Sequence, residues 1–215
     1  MKKANYRRSA LRKTAARLAA VLIAMMFVAA QPLLSFAASG IQEGDTISYS
    51  HDGSTSTFGY GDYVGKCIET GIPYQDSGTA IAGSKFSNST QAAKLAYYYS
   101  YVDPKISDTT KPPGLEGIAG DWCDAVGWAI SYAYLGPEAW RATASNTWSP
   151  GGVETVESCI VNTIIPPTQN VSVPSGFEMW TLETETGFQN FSLWRMAPTG
   201  KLKLKKASAN TGITG

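Results

Sequence analysis

Apolar residues change their spacing several times along this chain, and each change marks an element. From Leu18 to Ala30 they form an unbroken run, mostly VLIAMMFVAA, which stops at Gln31-Pro32. A bilayer-spanning helix needs about 20 such residues, so the run is short for that role. Between Gly44 and about Thr70 the pattern turns to intermittent alternation rich in Thr, Ser, Tyr and Gly, in the segments DTISYS, STFGYGDYV and KCIET. These read as strands separated by glycine turns. From Gln91 to about Tyr101, Ala92, Leu95, Ala96 and Tyr99 recur at helical spacing behind Ser89 or Thr90 as N-cap. Pro112-Pro113-Gly114 marks a loop, a second helix is predicted from about Asp121 to Tyr134, and Gly136-Pro137 separates it from a short helix over Glu138 to Thr143. Beyond Pro166-Pro167 the alternation returns in VSVP, GFEMWTLE and FQNFSLWRMA, punctuated by Gly187 and Pro198. Strands, a helical block, then strands again predict an α+β fold. In it, β-sandwich or barrel-like strands from both ends of the domain pair across an inserted helical block.

Charge assigns the ends. Lys2, Lys3, Arg7, Arg8, Arg12, Lys13 and Arg17 precede the apolar run without one acidic residue, and small residues at Ser35 and Ala37 follow it. That is the layout of a secretory signal peptide over residues 1–37, with a mature start near Ala38; an uncleaved membrane anchor is the alternative. Seven of the chain's 18 Lys and Arg lie in this leader, leaving 11 against 17 Asp and Glu, a mature net charge of −6. A nucleic-acid partner is not expected of such a surface. Residues 38–199 are long enough for one domain with its own core. The final stretch, GKLKLKKASANTGITG, alternates Leu with Lys and reads as the first strand of a further unit over 200–215.

Cysteine count then points to chemistry. Cys67, Cys123 and Cys159 follow the leader, and an odd number in an exported chain leaves at least one thiol outside any intramolecular disulfide. Cys123 and Cys159 could pair or could both be buried thiols. His51 is the only histidine, so no metal site of Cys/His spacing is expected, and no cofactor is implied.

The motifs Cys67-Ile68-Glu69 and Phe188-Gln189-Asn190-Phe191-Ser192-Leu193, in this order, resemble the thioester domains of Gram-positive surface adhesins, a family also described by a TQxA motif. The residue before the cysteine is Lys66, where that family usually has an aromatic or Leu. The middle motif has two candidate places. Thr90-Gln91-Ala92-Ala93 has the letters, while the helix Val126-Gly127-Trp128-Ala129-Ile130-Ser131-Tyr132 has the better position. The C-terminal GKLKLKKASAN is similar to the opening strand of a Cna B-type immunoglobulin-like domain, which commonly follows a thioester domain.

The resemblance implies a covalent bond between the side chains of Cys67 and Gln189. A thiolate attacks the carboxamide carbon, ammonia leaves, and the thioester is a stored electrophile. An amine on a host or surface protein, such as a lysine, would then take the Gln189 acyl carbon and free the Cys67 thiol. The resemblance thus implies a single-turnover covalent binder rather than an enzyme. Phe188, Phe191 and Trp194 are the candidate shields against water, and Glu69 a candidate positioning residue. Taken alone, Cys67 also fits a small buried apolar side chain, and Gln189 an outward residue of an amphipathic strand. Two rivals remain: a noncovalent surface-binding module, and a cysteine amidase using Cys123 at a helix N-terminus behind Asp121-Trp122. The amidase would need a histidine downstream of Cys123, and the chain has none.

Overall fold

Strand formation in this chain follows residues that can be buried on one or both faces of a pleated sheet. The computed structural model describes residues 40–51 and 57–197. The expected leader with its cleavage site, and the expected strand over 200–215, therefore lie outside the described residues. Six strands, β1 (Thr46–His51), β2 (Phe58–Tyr60), β3 (Tyr63–Cys67), β4 (Ser77–Lys85), β5 (Phe177–Glu183) and β6 (Phe191–Met196), close into a barrel in the order β1-β2-β3-β6-β5-β4. Every neighbouring pair is antiparallel. The pairs β3–β6 and β4–β5 join the two halves of the chain, so the α+β expectation with pairing across a helical insertion holds.

The alternation of β3, β5 and β6 splits the core in two. Tyr63, Trp180, Leu182, Phe191 and Leu193 join Ile47, Tyr49 and Phe58 inside the barrel. On the other face Phe177, Met179 and Trp194 meet the helices. Gly65 permits this closure, because a Cβ there would stand 2.1 Å from the Ser192 carbonyl oxygen and 2.5 Å from Leu193 Cδ2. One end of the barrel carries a charged network. Tyr63 Oη donates to Glu178 at 2.5 Å, Arg195 Nε reaches the same carboxylate at 2.6 Å, and Arg195 Nη1 reaches Asp62 at 2.9 Å. Cys67 lies at the opposite end of β3.

Between β4 and β5 stand four α-helices: α1 (Gln91–Tyr97), α2 (Trp122–Leu135), α3 (Pro137–Ala144) and α4 (Pro150–Cys159). Thr90 caps α1 by accepting from Ala93 N, and Asp121 caps α2 by accepting from Asp124 N. Gly136, at φ 82°, turns the chain between α2 and α3. Small residues along α2, among them Ala125, Gly127, Ala129 and Ser131, are buried and let it lie close against the barrel.

Four expectations need correction. The helix predicted through Tyr101 ends as α-helix at Tyr97 and continues to Val102 as a π-helical turn. VSVP is not a strand but an irregular approach to β5, and the KCIET strand ends at Cys67. The FQNFSLWRMA strand begins only at Phe191, so Gln189 sits in the preceding loop. The physical reason is local: Thr184 to Gly187 turn the chain, and the Gln189 N–H bonds outside the β-ladder, to the Pro73 carbonyl at 2.8 Å.

Candidate functional site

Cys67 is the last residue of β3 and is paired with Phe191, the first residue of β6. The pairing continues one step beyond the strands, since Ile68 N–H donates to the Asn190 carbonyl at 3.0 Å. Glu69 then reaches across the same gap: its carboxylate accepts the Asn190 backbone N–H at 2.7 Å and Asn190 Nδ2 at 3.4 Å. With Gln189 N–H held by Pro73, the loops after β3 and before β6 are laced on both sides of the Cys67–Gln189 pair.

Helix α2 supports this loop from behind. Ser131 Oγ donates to the Ile68 carbonyl at 3.0 Å and lies 3.3 Å from Thr70 N and 3.1 Å from Thr70 Oγ1. Gly71, at φ 87°, brings the loop against α3, where a Cβ would stand 2.0 Å from the Thr143 carbonyl oxygen. A glycine is needed there on both counts.

Cys67 and Gln189 line one cavity of about 470 Å³. Ile72, Pro73 and Tyr74 come from the loop after β3, Trp128 and Asp124 from α2, and Trp148 from the segment before α4. Trp128 and Trp148 meet edge to face, ring centroids 4.8 Å apart. Cys67 is partly buried, and Gln189 is 6% exposed. Burial pushes the Cys67 thiol up to about 12, against the opposing pull of Lys66. The side-chain oxygen of Gln189 is buried and accepts no hydrogen bond from the described residues. Such an orphaned carbonyl costs about 1–3 kcal/mol.

Of the residues singled out from sequence, the structure brings Cys67, Gln189 and Glu69 together. None of the three aromatics named as candidate shields lines the cavity, although Cys67 packs against the barrel cluster that contains Phe191. Phe188 is partly buried beside Gln189 but does not line the cavity. Phe191 points into the barrel, stacked on Phe58 at 4.7 Å. Trp194 packs in the core between barrel and helices and donates to Ser100 Oγ at 2.9 Å. The cavity walls are instead Trp128, Trp148 and Tyr74. Trp128 lay in view within the α2 string, but its role did not, because a tryptophan on an apolar helix reads as core.

Gln91 bonds to Thr168 Oγ1 at 2.5 Å, away from the cavity, whereas the Val126–Tyr132 helix supplies Trp128 and Ser131. Cys123 and Cys159 are both buried and form no disulfide. Cys123 does not line the cavity and has Lys66 Nζ 2.7 Å from its sulfur. Among the described residues no group of His, Cys, Asp and Glu is placed to hold a metal ion, and no helix is long and apolar enough to cross a membrane.

Neither a scan against protein-family models nor a search of curated proteins gives a match. Among solved structures, the chain is similar to the N-terminal domain of the Streptococcus pyogenes pilus tip adhesin Cpa. That likeness has 12% sequence identity and a TM-score of 0.40, over 74% of this chain and 97% of that one. It is also similar to the N-terminal thioester domain of the fibronectin-binding protein SfbI from Streptococcus pyogenes, at 11% identity and a TM-score of 0.38, over 70% and 93%.

Proposed function

We propose that the chain is a secreted or cell-surface adhesin domain that captures its ligand through a Cys67–Gln189 thioester. The observation that carries this reading is the shared cavity. Cys67 ends β3, Gln189 lies in the loop just before β6, the two strands pair at Cys67 and Phe191, and both residues line one cavity. Ring closure forms the Sγ–Cδ bond, and the thiol proton leaves with the carboxamide nitrogen as ammonia. A thioester carbonyl is a weaker hydrogen-bond acceptor than an amide carbonyl. The unpartnered oxygen of Gln189 therefore costs less in the thioester than in the free glutamine.

Opening the bond needs a nucleophile that fits among Trp128, Trp148 and Tyr74. A primary amine, such as the end of a lysine side chain, brings a slender apolar stem to those rings and places nitrogen at the acyl carbon. The products are an amide to the ligand and a free Cys67 thiol. Retention then no longer depends on a dissociation rate. The same aromatic walls also suit a noncovalent binding module, and mass separates the two. The intact protein, purified without amine buffers, should weigh less than its sequence by one ammonia, and Cys67→Ala should restore the full mass. A wild-type protein at full mass would leave only the noncovalent reading.

A further inference from the structure

Lys66 lines the cavity and, with Cys123 just outside it, forms a second pair of nucleophiles that the thioester reading does not use. Lys66 is buried at 2% exposure on the outer face of β3, its stem against Gly127 of α2. Its Nζ stands 2.7 Å from Cys123 Sγ and 3.0 Å from Thr57 Oγ1. Hydrogen bonds between nitrogen and oxygen already run about 2.7–3.2 Å. Sulfur is the larger atom, so 2.7 Å is short for an amine donating to a thiol. It matches the span left when a single atom bridges nitrogen and sulfur.

We propose that Lys66 and Cys123 are a redox-modification site, joined in the oxidised protein through one oxygen as an Nζ–O–Sγ bridge. Dioxygen is the oxidant. One O₂ is consumed per bridge: one oxygen atom forms the new bonds to sulfur and nitrogen. The other leaves as water with the thiol hydrogen and one amine hydrogen. The protein gains one oxygen and loses two hydrogens. Two equivalents of a dithiol reverse the step, restoring thiol and amine and releasing the bridging oxygen as water.

The bridge ties β3, one residue before Cys67, to the first turn of α2, the helix that carries Trp128. It closes a loop between residues 57 positions apart, and a cross-link of that length restricts the unfolded chain. Oxidation thus fixes the back wall of the cavity, and reduction leaves a hydrogen-bonded contact in its place. This holds whether or not Cys67 and Gln189 form a thioester, because neither Lys66 Nζ nor Cys123 Sγ takes part in that bond.

Intact mass of the wild-type protein, held under oxygen and separately under a dithiol without oxygen, tests it. Oxygen should add one oxygen less two hydrogens, and the dithiol should remove that gain. The thioester's loss of ammonia is a different mass, so the two features are read independently. Tryptic mapping of the oxygen-exposed protein should show no cleavage at Lys66 and one linked peptide pair containing Lys66 and Cys123. Cys123→Ala and Lys66→Met should each abolish the gain. If either variant fails to fold, the wild-type map decides alone. An unchanged mass under oxygen overturns the proposal. So do whole-oxygen additions at Cys123 with Lys66 still cleaved, which mean ordinary thiol oxidation.

Discussion

The Glu69 carboxylate holds Asn190 by its backbone N–H at 2.7 Å, and so fixes the residue that follows Gln189. A hydrogen bond to a charged group contributes about 1.5–3 kcal/mol. Glu69→Ala should lower unfolding free energy by about that amount, measured by urea denaturation. It should also lower the fraction of protein showing the ammonia deficit, because the loop that carries Gln189 into the cavity it shares with Cys67 is no longer held at Asn190. An undiminished deficit in Glu69→Ala would show that Glu69 stabilises the loop without positioning the reaction.

Methylamine should open the bond at one residue. Peptide mapping is expected to find the methylamide at Gln189 and a single newly alkylated thiol at Cys67. Gln91, bonded to Thr168, and Gln169, whose backbone carbonyl accepts from Lys94 Nζ at 2.9 Å, both lie outside the cavity lining and should stay unmodified. An adduct at Gln91 would overturn the pairing. Cys159→Ser should keep the deficit, since Cys159 Sγ contacts the Pro113 carbonyl at 3.4 Å, away from the cavity.

Trp148 is half-buried, and its ring closes the cavity against Trp128. Trp148→Ala admits water to the acyl carbon, so the ammonia-deficient species should convert several-fold faster to the hydrolysed acid. Time-resolved intact mass in amine-free buffer measures this. The folded fraction by circular dichroism must be checked alongside, because the truncation also removes the packing of Trp148 on Trp128 and Trp140. An unchanged hydrolysis rate in a folded variant would remove Trp148 from the shielding role.

Acid should loosen the far end of the barrel. Burial pushes the Glu178 carboxyl up, but its bonds to Tyr63 and Arg195 outweigh that and hold it below its ordinary value of 4.5. The unfolded chain therefore binds this proton more readily than the folded one. The stabilisation is present above that ordinary value and is lost as pH falls through the lowered, folded one. Glu178→Gln should be less stable at neutral pH and should flatten the acid limb of a melting-temperature profile. An acid limb of unchanged steepness would assign it to other carboxylates.

Much of this was legible in the sequence where residue type and parity agree. β5 and β6 stand out because Phe177, Met179, Trp180, Leu182, Phe191, Leu193 and Trp194 are large and alternate between two buried faces. β4 is silent: Ser77–Lys85 buries only the small residues Ala80, Ala82 and Gly83, and its one large apolar residue, Ile81, faces outward, so no buried large residue announces it. Helix α4 opens with Pro150-Gly151-Gly152, a string that reads as a turn, although Pro at the first helical position is well suited to it. The Cys67–Gln189 pair came from resemblance, not periodicity. That the three candidate aromatics do not all line the cavity follows in part from parity. Phe191 and Trp194, three apart on one strand, face opposite sides of the sheet and cannot shield one site together.

The place of Gln189, just before β6, also sets where tension would run once a ligand is attached. With the acyl carbon bonded to the ligand and Cys67 released, a pull between that ligand and the chain beyond Ala197 travels only from Gln189 to Ala197. That stretch is under about 30 Å when fully drawn out, at roughly 3.3–3.6 Å per residue. The other five strands and all four helices hang beside the loaded segment, not in series with it. Force can strip β6 from β3 and β5, yet unfolding the remainder adds no length to the tether and breaks no link in it. The hold on the ligand is then as strong as a peptide backbone, however marginal the stability of the barrel that formed it.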